Sequence, residues 1–97
     1  MISNQVIRVR KINERRNHYD ELIKEENKKI YDATVTLNSH LYAKPSKLMR
    51  KVYAMCYADT CYRCEDMIAY WEHRFIEDKN RILTEEILTL DQKCATF

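Results

Sequence analysis

The sequence predicts an all-α protein, a helical hairpin of two long helices followed by a short third. Three observations carry that prediction. The 97 residues contain no Gly and a single Pro, Pro45. Tight β-hairpin turns draw on Gly for positive φ, so a chain without it is poorly suited to a sandwich or barrel. About a third of the residues are charged and close to half are apolar, and the stretches on either side of Pro45 repeat at helical rather than strand spacing. The length fits one domain, residues 1–97.

The first helix is expected over about 4–42. Ile2, Val9, Arg16, Ile23, Ile30 and Leu37 lie seven apart, and Gln5, Ile12, Tyr19, Glu26, Ala33 and His40 form the companion series. This is a heptad seam with clear polar exceptions at Gln5, Arg16 and Glu26. Glu21–Lys24, Glu25–Lys28 and Glu25–Lys29 are placed to pair along the helix surface. A helix of nearly forty residues would be about 60 Å long and needs a partner helix to lie against. Thr34-Val35-Thr36 is the expected weak point, because adjacent β-branched residues have lower helix propensity.

Pro45 disfavours the α region at Lys44, which ends the first helix near Tyr42. Ser46 is then a natural N-cap for a second helix over about 46–83. Thr84 followed by Glu85 and Glu86 reads as a new N-cap with acids in the first turn, predicting a third helix over about 85–93.

Plotted at roughly 100° per residue, the second helix carries two apolar stripes. Tyr53, Tyr57, Thr60, Cys61, Cys64, Ile68, Trp71, Phe75 and Ile82 form one, and Met55, Ala58, Tyr62, Ala69, Ile76 and Leu83 form the other. A helix with two apolar stripes has two neighbours to touch, and the first helix covers only one. Coiled-coil-like packing in a homo-oligomer, most simply a dimer, is the consequence.

Cys56, Cys61, Cys64 and Cys94 raise the question of chemistry. A four-thiolate zinc site normally uses two Cys-x-x-Cys pairs on knuckles or at helix starts. Here the one pair, Cys61 and Cys64, falls in mid-helix, and Cys56 lies roughly 140° around from Cys61. A redox dithiol needs a helix N-terminus or a neighbouring cation, whereas Cys61 falls about fifteen residues into the helix and Arg63 and Glu65 flank Cys64 with opposite signs. The favoured reading makes Cys61 and Cys64 small core side chains in an aromatic stripe, with no metal and no cofactor. Without Gly there is no phosphate-cradling loop. Glu65-Asp66 and Glu85-Glu86 diverge on a helix. No catalytic role is therefore expected.

The formal net charge is +2, too small to imply nucleic acid by itself, but its distribution is uneven. Residues 1–51 carry 12 Lys/Arg against 6 Asp/Glu, and residues 52–97 carry 5 against 9. Arg8 and Arg15 make one basic cluster, and Lys47, Arg50 and Lys51 make another. Nucleic-acid binding by the basic half is the alternative function. The leading expectation is a non-enzymatic protein-interaction module, an inhibitor, adaptor or assembly factor. Seven Tyr and one Trp supply the side chains that anchor interfaces, and Tyr62, Tyr70 and His73 are the candidate partner-binding residues. Frequent Asn, Ile, Lys and Tyr point to an AT-rich genome and thus to a phage or virus accessory protein. Residues 1–12 show no apolar signal core and no run is long enough to span a bilayer. The expected location is therefore the cytoplasm, that of the host cell if the protein is viral.

Overall fold

The computed structural model describes the backbone of residues 4–95 and the side chains of residues 4–85. Two long helices, α1 (Asn4–Tyr42) and α2 (Lys47–Ala95), pack against each other as a hairpin. Thr34-Val35-Thr36 does not interrupt α1. Each threonine hydroxyl donates to the carbonyl four residues back, Thr34 to Ile30 and Thr36 to Asp32, both at 2.9 Å. The polar side chains are thereby satisfied inside the helix rather than in competition with it. Ion pairs at helical spacing, such as Arg16–Asp20 in α1 and Arg63–Asp59 in α2, support the exposed faces.

The turn shows how a chain without Gly reverses direction. Lys44 adopts a left-handed conformation, with φ at 53°, and its N–H donates to the Leu41 carbonyl at 3.1 Å. This is one of the two bonds of a Schellman C-cap. The other would come from residue 45, which is Pro and has no N–H. Ser46 then caps α2. Its Oγ accepts from the Met49 N–H at 3.3 Å, and its carbonyl accepts from Arg50 at 3.0 Å.

At the far end, α2 runs through Thr84, where a new helix start was expected. The Thr84 hydroxyl donates to the Asn80 carbonyl at 2.8 Å, the bond of a helix-interior residue rather than of an N-cap. The short helix expected over 85–93 is thus not a separate element, and nearly all of its side chains lie outside the described residues.

The chain divides into two compact units, each containing part of both helices: Met1–Glu21 with Trp71–Phe97, and Leu22–Tyr70. In the first unit Tyr19 is buried, and its hydroxyl donates to the buried carboxylate of Asp78 at 2.5 Å. Arg81 closes the other carboxylate oxygen at 3.1 Å. Trp71 and Phe75 flank the Tyr19 ring at 6.1 and 6.4 Å. Arg16 bridges Asp20 and Glu72 while its guanidinium lies 4.6 Å over the Phe75 ring. In the second unit the buried carboxylate of Glu26 accepts from Lys29 at 3.0 Å and faces the buried Cys64 thiol. Tyr57 meets Thr34 at 3.1 Å. Because the Thr34 proton is already given to Ile30, Tyr57 is the donor. Near the turn, the His40 and Tyr53 rings stack at 4.1 Å and 6°.

Along the α1 seam, Ile12, Ile23, Ile30, Ala33 and Leu37 are half-buried, whereas Gln5, Val9 and His40 are exposed. No large side chain among the described residues is completely enclosed. A pair of helices buries a strip and not a volume.

Two expectations follow. Lys44→Gly keeps the left-handed turn and removes its Cβ clash, so stability should rise by about 1 kcal/mol. A urea titration that showed no gain would contradict this account of the turn. The Asp78 carboxyl is held below the ordinary carboxylate range, mainly by the Tyr19 hydroxyl, and the Tyr19 phenol is pushed up by the same bond. The stabilisation from Asp78 is present above the unfolded carboxylate pKa of about 4 and is lost as pH falls further. That from Tyr19 is present below pH of about 10 and is lost above it. Tyr19→Phe should cost about 1.5–3 kcal/mol at neutral pH and flatten both limbs of the stability–pH curve.

Candidate functional site

The cysteines divide by depth. Cys64 is buried at 4% exposure, Cys61 is half-buried and Cys56 is exposed. Burial pushes the Cys64 thiol up, and the hydrogen bond and charge of Glu26 push it the same way, while Lys29 opposes them. The thiol therefore stays protonated at neutral pH, which makes it a weak nucleophile and a weak metal ligand. Among the described residues, no three His, Cys, Asp or Glu side chains gather into a cluster able to hold a metal ion. The version of such a site that uses Cys94 lies outside them.

The candidate partner-binding residues fall in both units. Tyr62 is 70% exposed and rims a shallow recess of roughly 260 Å³ with Ala58, Cys61 and Glu65. Tyr70 is about half exposed. Both belong to the second unit, and His73 belongs to the first. There the His73 Nε2 lies 2.9 Å from Glu77, one turn along α2, and Glu77 also pairs with Arg74.

Tyr62 is not isolated on the second unit. Tyr31, Leu48 and Met55 are each about as exposed as it is, and Tyr42 at 89% is more so. Val35, Leu41, Val52 and Met67 add further apolar surface. A groove of roughly 410 Å³ also opens on this unit, lined by Leu37, His40, Tyr53, Cys56 and Tyr57 among others. The Thr60 hydroxyl on its wall donates to the Cys56 carbonyl at 3.0 Å, so the groove is mainly apolar. The second stripe of α2 is thus open to solvent at Met55, Ala58, Tyr62, Ala69 and Ile76, and half-buried at Leu83. Single exposed apolar residues are ordinary, whereas a concentration of them on one unit calls for a reason.

The basic residues also separate. Arg8 and Arg15 lie in the first unit, and Lys47, Arg50 and Lys51 in the second. Arg8 is half-buried, with its Nε enclosed and lacking a hydrogen-bond partner. Arg15 shares a polar recess with Lys11, Glu14, Arg81 and Glu85, and its charge helps to keep Asp78 ionised. Lys47, Arg50 and Lys51 are exposed. Among the described residues, no helix is long and apolar enough to cross a membrane.

No family model, curated protein or solved structure matches this chain.

Sequence reasoning overlooked Asp78 as a buried residue and Glu72 as a half-exposed partner at the rim, although helical spacing carried the signal. At roughly 100° per residue, Asp78 falls about 40° from Cys64, inside the apolar stripe, and Glu72 falls at its edge, about 80° away. Only their charge kept them out of a stripe drawn by hydrophobicity. Their partners, Tyr19 and Arg16, were already on the α1 seam.

The depth order of the thiols has a direct readout. Under native conditions, a thiol-reactive disulfide reagent should modify Cys56 quickly and Cys64 only at the rate of opening. Peptide mapping by mass spectrometry assigns the sites, and early labelling of Cys64 would contradict its placement.

Proposed function

We propose that this chain is a non-enzymatic protein-interaction module, working as a homo-oligomer, most simply a dimer, and docking onto another protein as an inhibitor, adaptor or assembly factor. The observation that supports this reading is the aromatic and apolar surface of the Leu22–Tyr70 unit, where Tyr31, Tyr42, Leu48, Met55 and Tyr62 stand open to solvent. Tyr presents a large, stiff contact area at low entropic cost and retains a hydroxyl for directional bonding. In this role Tyr62 and Tyr70 act as anchors. His73, already held by Glu77, presents a pre-oriented polar edge. The buried thiol offers little chemistry by comparison, because burial, and after it Glu26, keeps it protonated.

A second reading has one specific observation in its favour. Lys47, Arg50 and Lys51 cluster at the start of α2, exposed and with no ion pair among the described residues, which suits contact with phosphates. Nucleic-acid binding through this cluster, with Arg8 and Arg15 as further contacts, is the alternative.

Affinity capture from a host lysate, with and without nuclease treatment, separates the two readings. A stoichiometric protein partner that survives nuclease and is lost on Tyr70→Glu is the expected result. Capture that disappears with nuclease and is strongest at low salt would replace the first reading with the second.

A further inference from the structure

We infer that the exposed row of α2 formed by Leu48, Met55 and Tyr62 is the contact surface between two copies of this chain, packed with their α2 helices antiparallel. The inference rests on the homo-oligomer reading above and specifies its interface. Residues seven apart on a helix drift only about 20°, so these three side chains share one face, with Val52 and Ala58 beside them. All five are exposed, and all lie within one unit of the chain. An apolar row with this repeat is what one helix uses to pack against another.

Charge selects the occupant and its direction. Lys51 and Glu65 lie on the same flank of the row, at roughly 40° and 80° from Met55, with Ala58 between them in sequence. Both are exposed, and neither makes an ion pair among the described residues. A two-fold axis that pairs helices antiparallel brings like flanks together with their heights reversed. Lys51 of each copy then meets Glu65 of the other, twice by symmetry, and Ala58 meets Ala58 at the crossing, where its small side chain allows close approach. Lys47, one turn before Lys51 on the same flank, reinforces the positive end. A parallel pair would instead bring opposite flanks together at equal height, setting Glu65 against Asp66, which is unfavourable. Asp59, on the other flank, is already matched by Arg63 at 2.9 Å. The Lys51–Glu65 flank is therefore complementary to itself in the antiparallel orientation, whereas Asp59 and Asp66 on the other flank contribute no pair across the axis.

Size-exclusion chromatography with light scattering across a concentration series at low salt tests this directly. The wild-type chain should be a dimer. Lys51→Glu and Glu65→Lys should each weaken dimerisation about tenfold, and the double exchange should restore it. Circular dichroism should show unchanged helicity throughout. If one reversal loses helicity, Lys51→Gln and Glu65→Gln are compared instead, with about threefold weakening expected from each. A wild-type monomer would overturn both this interface and the homo-oligomer reading. A dimer indifferent to these exchanges, or not rescued by the double exchange, would overturn the antiparallel interface and leave the homo-oligomer reading standing.

Discussion

Two helices touch along one strip, and here that strip is closed by charged and hydroxyl groups as well as by apolar ones. The bond from Tyr19 to Asp78 is the clearest case, since it holds an ionised carboxylate inside the Met1–Glu21 and Trp71–Phe97 unit. A buried carboxylate is tolerated only where donors reach it, and Tyr19 with Arg81 supplies them. Such a pair has little tolerance for slippage. A shift of one residue along either helix would leave Asp78 buried without its phenol, at a cost greater than the bond itself contributes. An apolar strip of the same size would slide more readily.

The Leu22–Tyr70 unit solves the same problem with different groups. Glu26 is satisfied by Lys29 from its own helix and faces the Cys64 thiol, and Tyr57 donates to a threonine hydroxyl already engaged with its own backbone. The thiol that looks like a reactive centre in the sequence is thus a polar-tolerant core residue beside a carboxylate. Burial disfavours the thiolate most, and Glu26 acts in the same direction. The Cys64 side chain is packed between the helices of this unit.

Both polar pairs leave the opposite side of α2 uncovered. Met55 and Tyr62 are as accessible as residues of a polar face would be, although their side chains are apolar and aromatic. The protein keeps its conformational specificity inside, in directional bonds, and its non-directional apolar surface outside.

Much of this was legible in the residues. The absence of Gly, the placing of Pro45 and the Ser46 cap determine two long helices and the position of the turn, because these are local preferences that need no partner. The two stripes of α2 could also be read, since helical period is a property of the chain itself. Tertiary structure alone decided three matters. Lys44 takes the left-handed position because the hairpin demands a cap there whatever residue is available. Thr84 is a helix-interior residue because an N-cap exists only where a helix begins, and its hydroxyl found the Asn80 carbonyl instead. Asp78 and Glu26 are buried because each meets a donor, Tyr19 on the other helix for Asp78 and Lys29 on its own helix for Glu26. Periodicity shows which residues share a face, but only the packed partner decides whether a charge on that face is an intruder or a clasp.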